Sequence, residues 1–170
     1  YAQVKDQVEV RFGTTVQSFE QDEAQGQVTL ASGTHETYDL LVGADGIHSH
    51  IRALVFGEEA QFYRFLGFNT AAYVLKDVQD LAISRDAFQT LTEPGRQVAI
   101  YPVQDGLATF FVYKIKQKLA HYSHTIALSE LQRAFGTMNW IVPGLLQRAQ
   151  DVPDIYFDAV AQIEMPHWSQ

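Results

Sequence analysis

Cysteine is absent from this 170-residue chain. Its absence removes a disulfide framework, a thiolate nucleophile and any Cys-ligated metal, and it fits a cytoplasmic location. Cations are scarce: 12 Lys and Arg stand against 20 Asp and Glu, for a formal charge of −8. Nucleic acids and anionic membranes are held by clustered Lys and Arg, so neither is expected as a partner. No apolar run approaches the roughly 20 residues needed to cross a bilayer. No basic stretch followed by an apolar one opens the chain, so no secretory signal is read. Tyr1 stands where an initiator methionine would, which suggests a piece cut from a longer polypeptide. There is no Gly-x-Ser-x-Gly nucleophile elbow. The six histidines are scattered, and no carboxylates complete a three- or four-ligand set around them, so no metal is expected.

What remains is a globular composition, 46% apolar and 19% charged, with length for one ordinary core or parts of two. The first forty-odd residues read as a β-meander. Val8, Val10 and Phe12 alternate with Glu9 and Arg11, the period of a half-buried strand. Residues 14–20 give a second strand and residues 27–31 a third, joined by the polar turn Gln21-Asp22-Glu23-Ala24-Gln25-Gly26. A fourth segment ends in the unbroken apolar run 40–44, which suits a strand covered on both faces in a parallel sheet. Ser49 is a candidate N-cap for a helix over residues 51–56, with Gly57 beyond it.

The texture changes near residue 60. Residues 62–75 are rich in aromatic and β-branched side chains, with Gly67 as a bulge. Residues 96–103 and 107–116 form a hairpin around Gln104-Asp105-Gly106. Leu128, Leu131 and Phe135 fall at i, i+3 and i+7, between Ser123 or Ser129 as cap and Gly136 as stop. Pro143 suits the first turn of a further helix reaching about Gln150, and residues 155–165 read as a final strand.

The most informative stretch is Asp39-Leu40-Leu41-Val42-Gly43-Ala44-Asp45-Gly46-Ile47-His48-Ser49-His50-Ile51-Arg52. An apolar strand runs into two small residues, an Asp-Gly corner and a helix that starts at a serine. Open α/β sheets receive nucleotides at such strand ends. Gly43 and Ala44 permit close approach of a helix or cofactor. Gly46 permits a positive φ and leaves the backbone bare. Asp45 repels a pyrophosphate, but it can bond ribose hydroxyls or nearby N–H groups. The helix start offers N–H donors to phosphate, and Arg52 can pair with Asp45 or meet a phosphate oxygen.

This string resembles the internal Asp-Gly fingerprint of FAD-dependent aromatic hydroxylases, the p-hydroxybenzoate hydroxylase-like monooxygenases. Asp39, Asp45, Gly46, Ser49 and Arg52 match it, and His48 departs from it where the family often carries a charged residue. Val10-Arg11-Phe12-Gly13-Thr14-Thr15-Val16 is similar to the family's preceding strand, which places the Val16 backbone at the FAD adenine. Ile163-Glu164-Met165-Pro166-His167-Trp168 is similar to the segment before the family's second flavin motif. The resemblance spans nearly the whole chain. A Gly-rich strand–helix turn is expected before Tyr1 and a Gly-Asp after Gln170.

The resemblance implies an α/β fold, α+β within this chain. Residues 1–60 would be part of an FAD/NAD(P)-binding domain. Residues 61–155 would form a substrate domain with a mixed, mainly antiparallel sheet, and residues 156–170 a return strand. The implied cofactors are FAD and NAD(P)H, and the implied cofactor-binding residues are Val16, Asp45, Gly46, Ser49 and Arg52. The implied reaction is hydroxylation of an aromatic or electron-rich small molecule through a flavin hydroperoxide, with no catalytic side chain named. In isolation this piece would bind FAD weakly and be inactive. A flavin halogenase or isoprenoid reductase of the same fold, or a non-redox binding module, remain as alternatives.

In this family one sheet face roofs the substrate pocket against the flavin. Phe62, Tyr63, Phe65, Phe68, Tyr73, Tyr101, Phe110, Phe111 and Tyr113 supply aromatic residues to that sheet, and alternation lets only about half face the pocket. Lys114, Lys116 and Lys118 alternate as along one strand face, a solvated edge that discourages strand pairing.

Overall fold

The computed structural model describes residues 1–169 apart from Glu23, Ala24, Asp77, Gln79, Arg85, Asp105 and Ala120. It contains antiparallel sheets and helices, with three strands in one sheet and five in another. Two compact units divide the chain: Tyr1–Tyr63 with Ile163–Gln170, and Arg64–Gln162. No helix among the described residues is long and apolar enough to cross a membrane.

The first unit holds β1 (Val16–Gln21), β2 (Gly26–Leu30) and β3 (His35–Tyr38), paired antiparallel in that order. The period-2 pattern predicts the β1–β2 pair, and Phe19 meets Val28 across it. A Cβ at Gly26 would stand 2.6 Å from the Phe19 ring, so only glycine lets that ring lie over the strand. The register slips between Val16 and Ser18. Helix α1 (His50–Val55) follows, then a single 3-10 turn at Glu59–Gln61. The returning chain joins this unit where Glu164 N donates to Phe62 O at 2.8 Å.

Two expected strands are not formed. Residues 1–8 wind into turns, with Lys5 N and Val8 N donating to Tyr1 O and Val4 O, and residues 9–15 pair with nothing as a strand. Phe12 is 76% exposed and only meets the Tyr1 ring edge-on. The run 40–44 is likewise irregular, with Leu40 78% and Val42 72% exposed. Alternation or apolarity decides which side of a strand is buried, but a strand also needs a neighbouring edge to bond. None of the described residues supplies that edge to either segment.

The second unit is a five-stranded sheet in the order β5-β6-β7-β4-β8. Its strands are β4 (Tyr63–Leu75), β5 (Gln89–Glu93), β6 (Arg96–Val103), β7 (Gly106–Lys114) and β8 (Tyr156–Ile163). The predicted hairpin is β6–β7, with Val103 opposite Gly106; Asp105 of its turn lies outside the described residues, as do Glu23 and Ala24 of the earlier turn. Gly67 takes a φ of +84° inside β4, where a bulge is expected. Strand β5 goes unread in the sequence. β7 ends at Lys114, so Lys116 and Lys118 do not continue a strand face. Ile115 closes the strand differently, donating to Gly67 O at 2.9 Å.

Helices α2 (His124–Phe135) and α3 (Val142–Ala149) cover one face of this sheet. Ser123 caps α2, its Oγ accepting from Ile126 N at 3.4 Å, and Pro143 sits in the first turn of α3. Both follow from the sequence signals. Phe111, Phe135 and Leu145 are fully buried between sheet and helices. Phe135 meets Phe111 and Tyr113 edge-on at 5.0 and 5.8 Å between ring centres. Tyr73 Oη donates to Leu145 O at 2.9 Å, which ties β4 to α3.

Candidate functional site

The Asp-Gly corner lies within the first unit, on the segment between β3 and α1. A Cβ on Gly43 would stand 2.9 Å from Ile51 Cγ2, so glycine here lets the incoming chain lie against α1. Gly46 takes a φ of +86°, and nothing lies within 4 Å of the place a Cβ would occupy. The backbone at the corner is therefore bare, in a conformation that L side chains resist.

Asp45 is bonded to the helix that follows it. Its Oδ1 accepts from Ser49 Oγ at 2.5 Å, and its Oδ2 accepts from Ile51 N at 3.0 Å. Ser49 Oγ in turn accepts from Arg52 N at 2.9 Å, as the N-cap role requires. Desolvation works against charge on Asp45, yet the Ser49 hydroxyl and the backbone N–H groups of Ile51, Asp45 and His50 outweigh it and hold its pKa below the usual carboxylate range. The first-turn N–H groups of Ile51 and Arg52, expected to face a phosphate, are thus bonded within the corner.

Arg52 turns inward. It is 6% exposed, and its Nη2 donates to Ile47 O at 2.8 Å and to Glu59 Oε2 at 3.0 Å. No ion pair with Asp45 forms. Its Nε is buried without a hydrogen-bond partner. Glu59 also lies 3.0 Å from His48 Nδ1, and the His48 ring stacks on Tyr63 at 6.1 Å. Glu59 thus gathers the Arg52 and His48 side chains. Sequence reasoning missed it. The one signal was the acidic pair Glu58-Glu59, seven residues past the arginine.

Val16 opens β1 opposite Leu30, half-buried, just before the slip in register. Strand β1 lies alongside α1. The five residues singled out by sequence therefore fall on two touching elements: Asp45, Gly46, Ser49 and Arg52 around the start of α1, and Val16 on its neighbour. His124, the first residue of α2, has its Nε2 2.7 Å from Val152 O.

Comparison with known proteins agrees with the Asp-Gly resemblance. The sequence profile described as the FAD binding domain matches residues 2–139. An uncharacterized protein of Mycobacterium tuberculosis (strain H37Rv) is 29% identical over 174 residues, covering 100% of this chain and 46% of its own length. A flavin-dependent monooxygenase from an unknown prokaryotic organism is 28% identical, over 94% of this chain and 41% of its own. Among solved structures, Klebsiella pneumoniae HpxO complexed with FAD and uric acid superposes with a TM-score of 0.70 at 26% identity. It covers 91% of this chain and 39% of that one. The chain thus spans less than half the length of these relatives.

Proposed function

The chain belongs to the FAD binding domain family, and from that premise we propose that the whole protein is an FAD-dependent, NAD(P)H-using monooxygenase acting on an aromatic or electron-rich small molecule. The single observation that carries this reading is the Asp45-Gly46 corner: a bare left-handed glycine held rigid by a carboxylate that bridges Ser49 Oγ and Ile51 N.

The corner's residues fit a dinucleotide on their own geometry. Gly46 leaves an open approach to the backbone, with nothing within 4 Å of a would-be Cβ. Asp45 stays charged through its bonds to Ser49 Oγ and Ile51 N, and a carboxylate is an acceptor that a ribose hydroxyl can donate to. Gly46 and Asp45 would hold the ribose–pyrophosphate part, and the Val16 backbone the adenine. Ser49 and Arg52 act differently. Ser49 fixes Asp45, and Arg52 fixes the Ile47 carbonyl, so their part is to keep the corner in shape. When bound, FAD reduced by NADH or NADPH supplies oxygen activation for hydroxylation, chemistry that belongs to the cofactor. The chain's own contribution is to bind, orient and exclude water.

We assign residues 1–60 to the FAD domain and residues 61–155 to the substrate domain, with residues 156–170 as the strand that returns toward the FAD domain after completing the edge of the five-stranded sheet. In the latter, α2 and α3 occupy one sheet face, which leaves the opposite face for substrate. The test is purification of the whole protein, with its flavin absorbance and its NADH- or NADPH-dependent oxygen uptake read across a panel of aromatic compounds. Bound FAD and substrate-stimulated uptake are expected. A protein that neither retains nor binds FAD overturns the reading.

A further inference from the structure

The sheet face turned away from α2 and α3 can be read row by row from the strand pairing. Ala99, Phe110 and Ala72 lie side by side across β6, β7 and β4, and Gln97, Val112 and Thr70 form the next row. On β5, Thr90 and Thr92 extend the same two rows. Not one of these positions on β4 to β7 is Lys, Arg, His, Asp or Glu, and on β8 the one charged residue, Asp158, alternates with the core residue Phe157 and adds an anion to this face. The nearest cation along β7 on this face is Lys114, one row further on. Arg96 belongs to the opposite face, where its guanidinium bonds Glu93 and the Ala134 carbonyl of α2.

Four polar side chains stand in these rows, Thr70, Thr90, Thr92 and Gln97. Thr70 is 7% exposed, and its Oγ1 has no hydrogen-bond partner, a costly state for a buried hydroxyl. Gln97 Nε2 donates to Thr92 Oγ1 at 2.8 Å, which orients the amide and leaves its Oε1 as the acceptor. Ala99 is buried while Phe110 and Ala72 are half-buried, so the apolar surface a flat molecule can lie against is that of Phe110 and Ala72.

We propose that the substrate part seated on this face is an uncharged, flat ring system that carries a hydroxyl or carbonyl group. That group meets the Thr70 hydroxyl or Gln97 Oε1. A carboxylate or phosphate pressed onto Phe110 and Ala72 loses its hydration and finds no cation in these rows, which disfavours it strongly. Thr70 and Gln97 are thereby specificity-determining residues. The inference rests on the monooxygenase reading only in taking this face as the substrate side.

The experiment uses the intact flavoprotein with 2-naphthol and 2-naphthoate at neutral pH. Binding is measured by quenching of intrinsic fluorescence and, separately, oxygen uptake with NADH or NADPH. 2-Naphthol binds at least about tenfold more tightly than 2-naphthoate, and Ala72→Arg or Gln97→Arg narrows or reverses that ratio. Thr70→Val weakens 2-naphthol but leaves naphthalene unchanged. Equal or tighter binding of 2-naphthoate by the unaltered protein overturns the proposal, and so does failure of both probes to bind. A binding preference without oxygen uptake from any probe supports the charge inference and sinks the monooxygenase reading. Oxygen uptake with the carboxylate preferred does the reverse.

Discussion

Ser49 Oγ donates to Asp45 Oδ1 at 2.5 Å while accepting from Arg52 N at 2.9 Å. One hydroxyl therefore couples the corner carboxylate to the first turn of α1. Ser49→Ala removes both bonds. The expected cost is about 1 kcal/mol, typical of a lost N-cap. Urea unfolding gives the cost directly, and faster amide exchange at Arg52 locates it.

The Asp45 carboxylate makes this coupling dependent on pH. Its native pKa is depressed, so its contribution to stability is present above the unfolded carboxylate value and lost as pH falls through the lower native one. The stability difference between the natural chain and Asp45→Asn is expected to be constant near pH 7 and to shrink below about pH 4. Unfolding midpoints taken from pH 7 down to pH 3 read this out. A difference that grows on acidification contradicts it.

Glycine is required at two corner positions for different reasons. Gly46→Ala is expected to cost about 1 kcal/mol through its +86° φ alone, since no atom stands in the way. Gly43→Ala instead drives a methyl to 2.9 Å from Ile51 Cγ2, an overpacking cost of about 1–3 kcal/mol. Relief follows in the double variant Gly43→Ala/Ile51→Ala, where the clash is gone. Thermal unfolding of the three variants separates strain from collision.

Buried polar bonding holds the second unit together. Asn69 is fully buried, with Nδ2 donating to Tyr113 Oη at 3.2 Å and Oδ1 accepting from Tyr122 Oη at 3.3 Å. Tyr113 Oη donates onward to Glu130 Oε2 at 2.6 Å. Asn69→Ala strips Tyr122 of this acceptor and opens a void beside Tyr113. The expected loss is about 2–3 kcal/mol, checked by chemical denaturation. A change within experimental error shows that water replaces the amide without penalty.

Local signals in the sequence were legible wherever the chain settles its own geometry. Ser49 and Ser123 cap helices because a short hydroxyl reaches an N–H three residues on, and Pro143 starts one because its φ is preset. The β6–β7 hairpin is equally local. Segments that depend on a distant edge were not legible: Val8, Val10, Leu40 and Val42 carry strand-like patterns yet bond to no strand. β5 was missed for a related reason, as Gln89-Thr90-Leu91-Thr92-Glu93 is an outermost strand with little apolar content. At the site, the Ser49 cap and an Asp45 bond to a nearby N–H were legible in the Asp-Gly string, but the Asp45–Ser49 bond was not. The Arg52–Glu59–His48 cluster was not, because it depends on the fold of a 3-10 turn that no dipeptide announces.

The most direct test of the corner's role is the affinity of the intact apoprotein for FAD, compared with that of its Gly46→Val variant by flavin fluorescence titration. The unfolding midpoint is measured alongside. A side chain on the bare glycine is expected to raise the FAD dissociation constant by at least about tenfold in protein that remains folded. Equal affinity in the two folded proteins would show that FAD does not approach this corner.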